Sequence, residues 1–276
     1  MKSILVPVDF SIQAEYAAKA ASIIAKQTNS KLYLLHMLEL PSGVIDPASY
    51  SSSNNSPTSL LFLKRAYEKF EEFKKLPFFK GVEMEDSVQF HKAYDGIIDE
   101  SVKQECDLIV MGSKGTSGLE EMLVGSNTEK IVRNSKIPVL VIKEKITNFK
   151  IENIVFASNF KLENRKAFQR ILDFTLLFNA KLHLLKINTI HNFETTKDSS
   201  DAIRNFINDF DLGDFTLNIY NDISIESGIL NFSKVIDADI IVLNTSGRRG
   251  LSHLFNGSIS EDLTNHAKLP VATFKL

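Results

Sequence analysis

The stretch Leu108-Ile109-Val110-Met111-Gly112-Ser113-Lys114-Gly115, followed after nine residues by Gly125-Ser126-Asn127-Thr128, decides the reading of this chain. Its first four residues are a continuous apolar run of strand character, and Ser126 opens a helical pattern. A glycine-rich connection from strand to helix reads as a phosphate cradle. Glycines can take positive φ and let backbone N–H groups reach an anion, while the helix N-terminus adds unpaired donors and a partial positive charge. Lys114 adds a point charge. Taken alone, such a loop reads better as two turns and a helix cap. Three features favour the cradle. The loop leaves the carboxyl end of a strand, Asp9 closes the first strand on the same edge, and the spacing recurs as Asn244-Thr245-Ser246-Gly247, nine residues, then Gly257-Ser258.

That recurrence belongs to a duplication. Ser3-Ile4-Leu5-Val6-Pro7-Val8-Asp9-Phe10 aligns with Asn153-Ile154-Val155-Phe156-Ala157-Ser158-Asn159-Phe160 at an offset of 150 (153 − 3), which holds without a gap to Leu35 against Leu185. Downstream, Asp107-Leu108-Ile109-Val110 matches Asp239-Ile240-Ile241-Val242 and Ile137-Pro138-Val139 matches Leu269-Pro270-Val271, now at 132 (239 − 107). Two matches in order mark a repeat. The first copy is therefore 18 residues longer in its middle (150 − 132), an excess assigned to the Ser-, Asn- and Pro-rich residues 41–59. That composition cannot bury apolar surface, so the segment is expected to be a mobile loop, read either as a lid over the ligand edge or as a passive insertion. The chain of 276 residues then divides into domains 1–146 and 147–276.

Within each copy, short β-branched runs alternate with amphipathic helices. Strands are expected near 3–8, 31–38, 83–90, 107–111 and 137–142. Ala17, Ala20, Ala21 and Ile24 mark one helical face, Leu60, Leu63, Tyr67, Phe70 and Phe73 another, and Ala167, Ile171, Phe174 and Phe178 a third in the second copy. Continuously apolar strands suit a parallel sheet covered on both faces. The fold class is thus α/β, with two tandem doubly wound parallel five-stranded sheets packed as a pseudo-dimer and ligands at the carboxyl ends of the strands. Residues 139–142 and 271–274 look like sheet edges that pair with each other. If they do, a monomer suffices; if not, a homodimer is expected.

Composition narrows the function. With 32 basic and 34 acidic residues the net charge is −2, so no global field draws the chain to nucleic acid or an anionic membrane. No apolar run is long enough to span a bilayer, and the start is too short for a signal peptide, so a cytoplasmic location is expected. The single cysteine, Cys106, has no partner and no activating neighbour and reads as structural. Six histidines show no zinc-ligand spacing. Asp99-Glu100 and Glu120-Glu121 are adjacent, and neighbours on a helix point apart, so neither makes an acid/base couple. Asp9 is the metal candidate, with a turn or cap as its competing role. Neither a Walker A sequence nor G-x-G-x-x-G is present.

The pattern G-x-x-G, nine residues, G-[ST], with Val6-Pro7-Val8-Asp9 on the first strand, resembles the universal stress protein family, over almost the whole chain as a tandem pair. In that family the motif separates members that bind ATP from those that do not. The resemblance implies that Gly112, Gly115, Gly125 and Ser126 hold phosphates and ribose with Asn127 alongside. Pro7, Val8 and Asp9 would line the adenine and ribose side, Met37 would offer backbone groups to adenine, and Met111 would pack beside them. It implies a protein that binds ATP, with Mg, in its first half and acts through a protein partner, hydrolysing ATP slowly if at all. The alternative is a tandem scaffold that binds no nucleotide. In the second copy Asn244 replaces the first glycine, Asn159 the aspartate and Ala157 the proline, while Gly247, Gly257 and Ser258 remain. ATP binding there is expected to be weak or absent, with Arg248 and Arg249 as surface charge.

Overall fold

The computed structural model describes residues 1–38, 57–113, 125–145, 149–245, 263 and 267–275. The first half runs β1 (Ser3–Pro7), α1 (Ile12–Thr28), β2 (Lys31–Leu38), α2 (Pro57–Phe73), β3 (Met84–Phe90), α3 (Ala93–Lys103), β4 (Leu108–Gly112), α4 (Ser126–Asn134) and β5 (Val139–Ile142). The second runs β6 (Asn153–Ala157), α5 (Arg165–Leu177), β7 (Lys181–Asn188), α6 (Thr196–Ile207), β8 (Phe215–Asn221), α7 (Ile225–Val235), β9 (Ile240–Thr245) and β10 (Val271–Lys275). The strands join in one sheet, in the order β3-β2-β1-β4-β5-β10-β9-β6-β7-β8. Each half is a parallel five-stranded unit. The halves fuse where β10 runs antiparallel to β5, through Val271↔Val141, Ala272↔Leu140 and Thr273↔Val139, which is the edge pairing expected from the sequence.

The duplication extends to backbone conformation. Phe10 and Phe160 (φ 62° and 54°), Asn29 and Asn179 (52° and 50°), and Glu105 and Asp237 (47° and 54°) occupy the left-handed region at matching positions. A phenylalanine with positive φ is a conformational outlier, held only where its surroundings over-determine it. Phe10 is held by packing, its ring 5.1 Å from Phe70 and 4.7 Å from His36, and Phe160 lies 5.3 Å from Phe206. Both residues turn the chain off the first strand of their half.

Helix α1 shows how the sequence sets these layers. The Ser11 hydroxyl accepts from the Ala14 N–H at the N-cap, and Asn29 in the left-handed conformation closes the other end. Between them a stripe of buried alanines, including Ala14, Ala17, Ala18 and Ala21, lets the helix lie close to the sheet. In α2 the observed buried face is Ser59, Ala66, Phe70 and Phe73, with Leu63 half-buried, whereas Leu60 and Tyr67 are exposed, contrary to the expected face. Nor does the 18-residue excess sit wholly in 41–59. Residues 57–59 already belong to α2, and α2 is 17 residues long against 12 in its counterpart α6. The rest of that segment, 41–56, lies outside the described residues. Cys106 is buried beside β4, and burial pushes its thiol up to about 12, in keeping with a structural role. No helix among the described residues is long and apolar enough to cross a membrane.

Candidate functional site

Within the first half the strand order reverses direction between β1 and β4, and the crevice at their carboxyl ends is where open α/β sheets bind ligands. Pro7 ends β1 opposite Leu35, and the Val8 N–H donates to the Leu35 carbonyl at 2.8 Å. Val8 is buried, and its own carbonyl accepts from His36 Nδ1 at 2.6 Å, which fixes the proton on that nitrogen. Burial, the largest influence, holds the His36 imidazole below its ordinary value of 6.5, against the opposing pull of the Val8 carbonyl. Asp9 follows, with Oδ1 accepting from the Ser11 N–H at 3.0 Å and the Ser11 hydroxyl at 2.5 Å. The aspartate therefore builds the turn that places the cap of α1.

Met37 and Met111 pack in one apolar cluster with Leu5 and Ile97. The Met37 side chain lies on α3 so tightly that a Cβ added at Gly96 would come within 2.2 Å of its Cε. Its backbone has another use. Leu35 directs its carbonyl to β1, and two residues on, past the last β1 partner, Met37 directs its N–H and C=O to the same side, over the end of β1.

Gly112 ends β4 opposite Ile142. It does not have positive φ; among the described glycines only Gly81 and Gly213 do. What it needs is space, because a Cβ there would meet the Gln13 backbone of α1 at 2.8 and 2.9 Å. Gly125 has φ −60° and ψ 145°, so the expectation of left-handed glycines fails at both positions. Instead, Gly125 caps α4 with no side chain to accept from the first turn, which leaves the early N–H groups of that helix without a side-chain cap on the ligand edge. The two ends of the connection are stapled. The Gly125 N–H donates to the Ser113 carbonyl at 2.6 Å, and Thr128 Oγ1 donates to the Gly112 carbonyl at 3.0 Å. Ser126 is exposed and Asn127 half-buried at the same helix start, while Lys114 and Gly115 lie outside the described residues. The structure thus brings Pro7, Val8, Asp9, Gly112, Gly125, Ser126 and Asn127 to one edge, with Met37 and Met111 beside them. It adds Gln13 and Thr128. Thr128, a hydroxyl two residues after Ser126, was legible as a helix-start residue, but its bond across to β4 was not.

For a metal the donors are sparse. Among the described residues no three His, Cys, Asp or Glu side chains gather to hold an ion. What the edge offers instead is a set of helix-start amides without a side-chain cap, a strand-end backbone at Met37 and the carboxylate of Asp9.

The second half is built differently at the equivalent edge. Asn159 keeps the turn, its Oδ1 accepting from the Lys161 N–H at 3.2 Å and from Asn164 Nδ2 at 2.9 Å. Asn244 lies inside β9, paired in register with Phe274, and its φ is not positive. A cavity of about 350 Å³ opens among Ala157, Asn159, Lys186, Ile187, Glu194 and Ile229. The buried Lys186 ammonium is ion-paired with Glu194. Sequence reasoning passed over this pair, whose signal is a lysine within the apolar strand Leu184-Leu185-Lys186-Ile187. Gly247, Gly257, Ser258, Arg248 and Arg249 lie outside the described residues.

Comparison with known proteins agrees with this fold. The model of the Universal stress protein family matches residues 1–143 and 222–275. A universal stress protein of Methanocaldococcus jannaschii is 32% identical over 143 residues, 52% of this chain and 82% of its own, and a second from that organism is 30% identical over 155 residues, 52% and 96%. Among solved structures, a universal stress protein from Archaeoglobus fulgidus superposes with a TM-score of 0.70 at 20% identity, covering 99% of this chain and 98% of that one. A functionally unknown protein from Pseudomonas aeruginosa superposes at 0.64 and 22%, covering 100% and 92%. At such identities the solved structures speak for the fold alone.

Proposed function

Because this chain belongs to the universal stress protein family, we propose that its N-terminal domain, residues 1–146, binds ATP at the carboxyl edge of β1 and β4, and that domain 147–276 has lost that capacity. One observation carries the reading. The side-chain-free start of α4 stands at the strand-order switch, on the same edge as Asp9, within the motif Gly112-x-x-Gly115, nine residues, Gly125-Ser126. The first-turn amides of α4, with Ser126 and Asn127, take the phosphates. The Met37 backbone beyond the end of β1 takes the base, and Asp9 faces the ribose. Magnesium enters as the counter-ion of the phosphates, with Asp9 as its carboxylate. Lys114 and Gly115 complete the cradle in this reading.

Binding, with slow hydrolysis at most, is the role we assign. A cradle that grips ground state and transition state alike lowers no barrier. Bound ATP then biases a surface read by a protein partner in the stress response, to the extent that it prefers one conformation. A second reading, a scaffold whose glycines serve only the fold, is favoured by one contact, that of Gly112 with the Gln13 backbone, which requires glycine whatever the ligand.

Mass spectrometry of nucleotide released from the purified protein, with ATP titration of wild type and Gly115→Val, separates the two. Stoichiometric adenine nucleotide that the variant loses, at unchanged melting temperature, is the expected result. Absence of carried nucleotide and of titratable binding in wild type would establish the scaffold.

A further inference from the structure

The sheet leaves two outer edges, β3 and β8, and they are chemically unlike. On β3, Glu85 and Asp86 carry charge along the edge, bound to Lys31 at 2.5 Å and to Lys74 at 2.8 Å. Charged side chains discourage a further strand from pairing. By contrast β8, Phe215-Thr216-Leu217-Asn218-Ile219-Tyr220-Asn221, has seven residues without a charge or a proline. Its backbone direction follows from its neighbour. The Leu182 N–H donates to the Asp214 carbonyl at 2.9 Å, and the Asp222 N–H donates to the Asn188 carbonyl at 3.0 Å, so the even-numbered residues face β7. By the two-residue period of a strand, Phe215, Leu217, Ile219 and Asn221 point their N–H and C=O groups outward. Apolar surface accompanies them: Phe215 is 39% exposed and Ile223, just beyond the strand, 80%.

We propose that β8 pairs antiparallel with β8 of a second copy of this chain about a two-fold axis at Asn218, carrying the sheet across a homodimer. The strand is self-complementary in that register. Leu217 meets the partner's Ile219 and Phe215 meets the partner's Asn221, so outward residues oppose outward residues and form the doubly hydrogen-bonded pairs of an antiparallel ladder. Every opposed side chain from 215 to 221 is uncharged. Only at the rim does acid meet acid, Asp214 against the partner's Asp222, and there Lys181 lies 3.5 Å from Asp214. The molecule already uses this kind of joint, since three antiparallel register pairs between β5 and β10 unite its halves. An isologous β8 pair closes on itself and gives a dimer, not a filament.

Size-exclusion chromatography with light scattering on the full chain is the test. The wild type is expected at twice its 31.0 kDa at micromolar concentration. Asn218→Lys sets two like charges against each other at the axis, and Asn221→Pro deletes an outward N–H that makes no bond among the described residues; each loses the dimer. Asn218 also bonds Thr216 Oγ1 at 2.8 Å, so should the lysine variant misfold, Asn221→Pro decides with wild-type hydrogen exchange. Amides of Leu217 and Ile219 that lose protection on dilution support the pairing. A wild-type monomer, or a dimer that survives Asn221→Pro with those amides unprotected, overturns it.

Discussion

The two carboxyl edges of this molecule began as the same structure and now differ in how closely a helix approaches the sheet. In the first half, α1 starts at Ile12, directly after the cap that Asp9 supports, and its backbone at Gln13 presses on Gly112. At the second edge the position matching Gln13 is Glu163, within a 3₁₀ turn over Leu162–Asn164, and α5 begins only at Arg165. Asn244 replaces the glycine there and sits in a regular strand. The turn itself survives in both, made by Asp9 in one and Asn159 in the other. The turn therefore requires a side-chain oxygen but no charge, and the glycine requires space but no special φ. At this position the two edges differ in charge, which Asp9 carries and Asn159 does not.

The largest test of that comparison is at the glycine. Gly112→Ala forces a Cβ to 2.8 Å from main-chain atoms that cannot swing aside, and overpacking of this kind costs about 1–3 kcal/mol. Asn244→Ala, where the helix starts later, is expected within about 0.5 kcal/mol of wild type. Urea denaturation of the two variants measures both. Equal costs would mean that the helix approach does not separate the halves.

Much of this was legible from residues alone, because a repeat and a period are properties of letters. The 150-residue offset that aligned Phe10 with Phe160 returns as matching left-handed backbone, and the apolar runs 139–142 and 271–274 are edges that pair. The reason for Gly112 was not legible. Glycine serves both positive φ and close approach, and the letter does not say which until the neighbouring helix is placed. The face of α2 was misread for a related reason. Leu60 and Tyr67 satisfy a helical period, but only the turn that reaches the sheet buries its apolar side chains. The Lys186–Glu194 pair left half a signal: a lysine in an apolar strand marks a buried charge, but the partner eight residues on was not legible until the fold brought Glu194 over the strand end.

A smaller effect isolates charge from turn. Since Asn159 makes the same turn, Asp9→Asn is expected to leave the melting temperature within about a degree of wild type, on the scale of a few tenths of a kcal/mol. It weakens ATP binding about tenfold, or about 1.4 kcal/mol. Isothermal titration with and without magnesium reads the loss, and the difference between the two titrations reports whether Asp9 acts through the metal. Unchanged affinity in both would leave Asp9 as a turn residue and would make the two edges equivalent at this position.

The smallest effect concerns pH, where the halves again part: His36 aligns with Lys186, and His183 with Tyr33. Burial holds both imidazoles below 6.5, so each stays neutral in the folded chain over a range in which the unfolded chain takes up a proton. The unfolded state then binds more protons, and stability rises with pH. The contribution is complete above 6.5 and is lost as pH falls from there through the folded value. His36 matters more to the ligand edge, since its Nδ1 proton holds the Val8 carbonyl next to Asp9. Melting temperatures of wild type, His36→Gln and His183→Gln between about pH 7.5 and pH 5 should show a shallower slope in each variant. Only His36→Gln should also weaken ATP binding at neutral pH. A His183→Gln variant that weakened it equally would tie the nucleotide edge to the second half, against the division of labour argued from Gly112 and Asn244.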